Sequence, residues 1–174
     1  EHPDAGSIEL DGKPVHVRSP QHSQEIGIST VYQEVNLCTN ISVAENIMLG
    51  HESHRFGSIN WRKLNAQANQ AIKRLGLEID VTRPLGDYSV AIQQMIAITR
   101  ALEIASAKVL ILDEPTSSLD SHETNLLFDV MRKLKGEGIG IIFITHFLDQ
   151  VYRIADRITV LRNGKLVGTY DVAS

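Results

Sequence analysis

The chain has a single cysteine, Cys38, among its 174 residues. An intrachain disulfide is therefore excluded, and the usage fits a reducing compartment. Cys38 reads as a small apolar side chain rather than a redox group. Long apolar runs are also missing. The longest in the carboxyl half, residues 141–144, is far too short to span a bilayer. No stretch at the amino end reads as a secretory leader. Basic residues are not in excess: 17 Lys and Arg stand against 21 Asp and Glu, for a net charge of −4. With no basic stripe, nucleic acid is excluded as the main partner. Internal repeats and low-complexity tracts are absent. What is present, 43% hydrophobic and 22% charged residues, suits one globular domain with a sizeable core.

Taken in order, residues 7–10 alternate and meet Asp11-Gly12, a hairpin turn leading to Val15 and Val17. Ser19-Pro20 predicts a helix start and Gly27 its stop. Residues 28–32 form a strand, with Gln33 directly after it. Ser42 and Glu45 make a capping box ahead of Ile47, Met48 and Leu49. Residues 50–60 are polar with two glycines and read as a loop, in which His51 and His54 face solvent rather than a metal. Asn60 caps a helix with the stripe Trp61, Leu64, Ala68, Ile72 and Leu75, stopped at Gly76. Ser89 opens a strongly apolar helix to about Ala105. Asp120 or Ser121 caps another, with a core face of Leu127, Val130, Met131 and Leu134. Residues 139–145 read as a buried strand ending at His146, followed by a helix over 147–155. A strand, an Asn163-Gly164 turn and a last strand close the chain.

The most informative stretch is 109–120, Val-Leu-Ile-Leu-Asp-Glu-Pro-Thr-Ser-Ser-Leu-Asp. Four apolar residues running into two carboxylates predict a buried strand of a parallel sheet. Asp113 and Glu114 then lie at its carboxyl end, where open α/β sheets place their ligand sites. Pro115 cannot extend a central ladder and stops the strand.

This stretch resembles the Walker B strand and D-loop of ATP-binding-cassette (ABC) ATPases. Further matches follow in the family's order. Val31-Tyr32-Gln33-Glu34 is similar to the Q-loop, and Thr145-His146 to the switch histidine. Asp156-Arg157-Ile158 leads into Val160-Leu161-Arg162-Asn163-Gly164. The wording is most similar to the first cassette of monosaccharide importers of the galactofuranose type. The resemblance implies an α/β P-loop NTPase sheet with an inserted helical subdomain. Residues 1–40 and 108–174 fall in the α/β lobe and 41–107 in the helical part. Two departures stand out. Where the family has Leu-Ser-Gly-Gly-Gln, this chain has Tyr88-Ser89-Val90-Ala91-Ile92, so the serine is kept and both glycines are replaced. Those glycines let a helix N-terminus approach the partner cassette's γ-phosphate, and Val90 and Ala91 put side chains there. The phosphate-binding loop, Gly-x-x-x-x-Gly-Lys-Ser/Thr, is not found: Gly12-Lys13 is followed by Pro14, and Gly164-Lys165 by Leu166. In the family the loop precedes a segment like residues 3–8, so the chain reads as truncated at its amino end, just after that element.

The resemblance further implies roles. Asp113 would partner Mg²⁺ through water and Glu114 would orient or deprotonate the attacking water, a role worth roughly 10²–10⁴ in rate. Gln33 would line the metal and water, and His146 would contact the γ-phosphate. Ser89 would act on nucleotide held by the opposing cassette, and Asp120 would bridge the dimer. The implied cofactors are ATP and Mg²⁺. The implied partners are transmembrane permease subunits, a second cassette and, indirectly, a periplasmic sugar-binding protein, with the protein peripheral on the cytoplasmic face of the membrane. Without the phosphate-binding loop the chain alone is expected to bind ATP poorly. The competing expectation is a non-catalytic half-module that docks on another subunit. A coiled-coil DNA-repair ATPase is excluded, because residues 34–88 are too few for its arms.

Overall fold

A computed structural model describes residues 5–32, 37–52, 54–55, 57–105 and 107–172. The chain opens with an antiparallel hairpin, β1 (Ile8–Leu10) and β2 (Lys13–Val15). Asp11 and Gly12 turn it at φ of +52° and +70°. Helix α1 (Pro20–Glu25) starts at Ser19, whose hydroxyl accepts the His22 N–H. Strand β3 (Ile28–Val31) follows. Helix α2 (Val43–Met48) carries the complete capping box of Ser42 and Glu45. A short hairpin, β4 (His54–Arg55) and β5 (Ser58–Ile59), occupies part of the expected loop. Gly57, at φ of +81°, lets the chain reverse within it. Helices α3 (Trp61–Arg74) and α4 (Val90–Ala105) flank a single 3₁₀ turn, Leu85–Asp87. Then come β6 (Val109–Asp113), α5 (Ser121–Gly136), β7 (Gly140–Ile144) and α6 (Leu148–Ile154). The hairpin of β8 (Arg157–Arg162) and β9 (Lys165–Asp171) ends the described chain.

The central sheet is parallel, in the order β3-β6-β7. Val31 pairs with Leu112, and Asp113 with Ile144, so the three strands finish within one residue of a common level. One core joins sheet and helices. Leu110 and Leu112 of β6 are fully buried, as are Met95, Ile96 and Ile98 of α4 and Leu127, Phe128 and Leu134 of α5. A polar strut crosses it, the Ser29 hydroxyl donating to the Ala101 carbonyl at 3.0 Å. Helix α2 lies against both α3 and α4. Its Asn46 is fully buried and holds the preceding turn: Oδ1 accepts the Cys38 N–H at 2.9 Å, and Nδ2 donates to the carbonyls of Cys38 at 2.9 Å and Ser42 at 3.0 Å.

Three expectations are corrected. Strand β7 is not buried on both sides: Ile142 and Ile144 are 51% and 46% exposed, because α5 covers only the face carrying Ile141 and Phe143. Trp61 belongs to the apolar stripe of α3 by spacing but is exposed, since it sits in the first turn, beyond the helices that cover Leu64, Ala68 and Ile72. Cys38 is exposed rather than packed as a small apolar group, its backbone alone being held by Asn46.

Candidate functional site

Strand β6 delivers Asp113 and Glu114 to the carboxyl end of the middle strand, both half-buried. Asp113 still belongs to the ladder. Glu114 leaves it with φ of +45°, in the left-handed region. The other non-glycine residues there, Asp11 and Asn163, are short turn residues suited to it. Glu114 is not, and it is held by backbone bonds on both sides. Its N–H donates to the Ile144 carbonyl at 2.9 Å, and its carbonyl accepts the Ser117 N–H at 3.2 Å. The bend aims the carboxylate toward the neighbouring strand's exit. His146, two residues past β7, answers it: His146 Nδ1 lies 3.1 Å from Glu114 Oε1. The imidazole leans on the Phe147 ring, centroids 4.1 Å apart. The pair remains open to solvent, the His146 side chain at 62% and Glu114 at 30%.

The turn after Glu114 is closed by the Leu119 N–H bonding to the Thr116 carbonyl at 3.1 Å. It ends at Asp120, whose Oδ1 accepts the Glu123 N–H at 2.8 Å, while Glu123 reaches back to the Asp120 N–H at 3.2 Å. Asp120 rather than Ser121 is thus the N-cap of α5. At the start of α4, the Ser89 hydroxyl accepts the Ile92 N–H at 3.5 Å, a loose cap, and the Gln93 amide donates to the Tyr88 carbonyl at 3.0 Å. Val90 is 51% exposed there but Ala91 only 2%, so of the two substituted positions Val90 alone presents its side chain outward.

Glu114 and His146 are therefore together, with Asp113 next to them in the chain. Ser89 and Asp120 lie on other elements, with no direct bond to that pair among the described residues. Gln33 lies outside the described residues, although β3, which leads to it, ends level with Leu112, one residue before Asp113. A contact that sequence reasoning missed also belongs here: the Thr116 hydroxyl donates to Gln150 Oε1 at 2.6 Å. Its partners are 34 residues apart, and no local pattern announces them. Among the described residues, no group of three or more His, Cys, Asp or Glu side chains could hold a metal by itself. Hard carboxylate oxygens at a sheet's carboxyl end nevertheless suit a Mg²⁺ that keeps most of its ligands as water or phosphate. Among the described residues no helix is long and apolar enough to cross a membrane.

The ABC transporter family model matches residues 1–117. The galactofuranose transporter ATP-binding protein YtfR of Escherichia coli (strain K12) is 52% identical over 96% of this chain and 33% of its own length. The fructose import ATP-binding protein FruK of Bifidobacterium longum (strain NCC 2705) is 54% identical over 94% of this chain and 32% of its own. The chain thus spans about a third of the length of the curated relatives it matches. Among solved structures, MJ1267, an ATP-binding cassette of an ABC transporter in its ADP conformation, superposes with a TM-score of 0.83 at 22% identity, over 98% of this chain and 71% of that one. The dimeric cassette MJ0796, bound to ADP and Pi, gives 0.77 at 22% identity, over 100% and 76%.

Proposed function

The chain belongs to the ABC transporter family and has the fold of its ATPase cassettes, and on that premise we propose that it is most of one cassette of a monosaccharide importer's ATP-hydrolysing subunit. The observation that carries the reading is the 3.1 Å approach of His146 to Glu114 beside Asp113 at the end of the middle strand. Phosphoryl transfer to water needs a held metal, a positioned water and stabilisation of charge on the γ-phosphoryl. Asp113 would help to hold a Mg²⁺ ion, which would supply charge neutralisation. Glu114 orients the attacking water and takes its proton. His146 bonds Glu114 in the present arrangement and can turn toward the phosphate end of a nucleotide. Gln33 completes the water's surroundings. Ser89 serves nucleotide on a second cassette, and Asp120 meets that cassette while capping α5. Residues 41–107 act as the helical subdomain between this centre and transmembrane permease subunits, at the cytoplasmic face of the membrane.

The 174 residues offer the catalytic end of such a site but no lysine and amide cradle for the β- and γ-phosphates. We therefore expect this chain alone to bind ATP negligibly; a micromolar dissociation constant by calorimetry would contradict that. In the complete protein, Glu114→Gln should leave ATP binding intact and nearly abolish turnover at this site. Undiminished hydrolysis there would refute the assignment. One observation favours a second reading, a docking cassette whose partner site is silent: Val90 covers the α4 start with a branched side chain where a bare backbone serves a phosphate.

A further inference from the structure

Helix α6 follows His146 directly, yet none of its residues is buried, and Leu148 and Tyr152 are 65% and 66% exposed. Its apolar packing comes from Ile154, half-buried against the core at the far end of the helix, and does not reach the histidine at its head. The other fixing contacts are polar. Near its carboxyl end the Arg153 guanidinium bonds Asn125 Oδ1 and lies over the Phe128 ring, 5.1 Å from its centroid. Near its amino end, one turn past His146, a tie on the Glu114 side is the 2.6 Å bond that Gln150 Oε1 accepts from Thr116. Thr116 is 3% exposed, so this bond is sheltered from water where the His146–Glu114 contact is not. An exposed pair of that kind holds a geometry only weakly by itself.

The same two segments are thus joined at three successive points. The Glu114 N–H bonds the Ile144 carbonyl, Glu114 Oε1 meets His146 Nδ1, and Thr116 bonds Gln150. The first is backbone and fixed by the ladder; the second is the working contact; the third stands on its far side. We propose that Gln150 is a positioning residue of the hydrolytic centre. By holding the Thr116 hydroxyl it clamps the turn that carries Glu114 to the helix that carries His146, and so sets the distance between those two side chains. The inference rests on the ATPase reading above. It assigns Gln150 no contact with substrate. Freed of the clamp, α6 can shift by a fraction of a turn, and misplacements near 1 Å at a reacting centre cost on the order of 10²-fold in rate.

The test is steady-state ATP hydrolysis by the complete protein carrying Gln150→Leu, Gln150→Glu, Thr116→Val and the double variant Gln150→Leu/Thr116→Val, with Glu114→Gln alongside. Gln150→Leu is expected to lower kcat by about tenfold or more, on the scale of such misplacement, with KM and melting temperature little changed. Gln150→Glu keeps an oxygen acceptor for Thr116 and should recover most of kcat. Thr116→Val should match Gln150→Leu, and the double variant should be no worse than either, as partners in one bond require. A wild-type kcat for Gln150→Leu, while Glu114→Gln abolishes turnover, overturns the proposal and leaves the ATPase reading standing. So does a loss that Gln150→Glu fails to recover. Undiminished turnover in Glu114→Gln overturns the ATPase reading itself, and the positioning role with it.

Discussion

Glu114 occupies a backbone conformation that its side chain makes costly, and this can be measured apart from its chemistry. At φ of +45° an L residue with a Cβ bears roughly 1–2 kcal/mol of steric penalty. Glycine bears none, but its freer unfolded chain usually costs about 0.4–1 kcal/mol relative to alanine. Comparing Glu114→Gly with Glu114→Ala isolates the backbone term. Both variants lose the carboxylate and its 3.1 Å contact with His146, and both keep the Glu114 N–H bond to Ile144 and the carbonyl bond from Ser117. With the penalty removed only by glycine, the glycine variant should be the more stable by about 1 kcal/mol, reversing the usual order.

Urea unfolding followed by circular dichroism reads the difference directly. In a thermal scan it corresponds to roughly 2–4 °C for a domain of this size. Both variants, placed in the complete protein, should be equally poor at hydrolysis. Stability would then rise from alanine to glycine with no return of activity, the mark of strain retained for a carboxylate's placement. An alanine variant as stable as glycine, or more so, would refute the reasoning, because it would mean that the turn relaxes out of the left-handed region at no cost.

Three further outcomes follow from other parts of the chain. Asn46→Ala leaves the Cys38 N–H and carbonyl without their buried partner and should cost at least about 2 kcal/mol in urea unfolding; a loss well below that would show that water replaces the amide. In the complete protein Val90→Gly should raise ATP turnover, whereas Ala91→Gly should only weaken α4, by about 1 kcal/mol, since Ala91 is already turned into the core; equal gains from both would contradict this. The Asp80 carboxyl is held below its ordinary 3.8, chiefly by hydrogen bonds from the Thr82 hydroxyl and N–H. A depressed carboxylate stabilises the fold fully above its unfolded value and less as the pH falls through its folded one. Asp80→Asn should therefore destabilise at neutral pH and leave stability in strong acid unchanged, and paired urea curves at the two pH values would reveal any failure of that pattern.

Local signals in the sequence were dependable where a single side chain and the next turn of backbone decide the outcome. The caps at Ser19, Ser42 and Asn60 form as their residue types predict, and so does the Asn163-Gly164 turn, with φ of +50° and +71°. The start of α4 at Val90 is of the same kind. Burial on a particular face was harder to read. Ile142 and Ile144 have the composition of a doubly covered strand, yet their exposure depends on which elements lie over β7, and nothing within residues 139–145 encodes that. The hairpin at Gly57 was likewise hidden, because its strands are two residues each and carry no alternation to detect.

The candidate site divides along the same line. Asp113 and Glu114 were legible because an apolar run stopped by two acids and a proline is a local event; the ladder places Asp113, and the backbone bond to the Ile144 carbonyl places Glu114 just beyond it. The placement of His146 is set differently. It stands on the exit of a strand but at the entry of a helix with no buried residue, so half of the centre is rigid and half is held by side-chain bonds. Such an arrangement can keep the carboxylate fixed while the histidine moves a short distance with α6. The bonds that limit the movement, at Gln150 and Arg153, join residues 34 and 28 positions apart. The sequence pointed to Glu114 and His146, which the structure brings within 3.1 Å, but offered no periodicity or spacing from which to reach these anchors. Variation at residues 150 and 153 should therefore change how well the histidine and the carboxylate act together before it changes how stably the cassette folds.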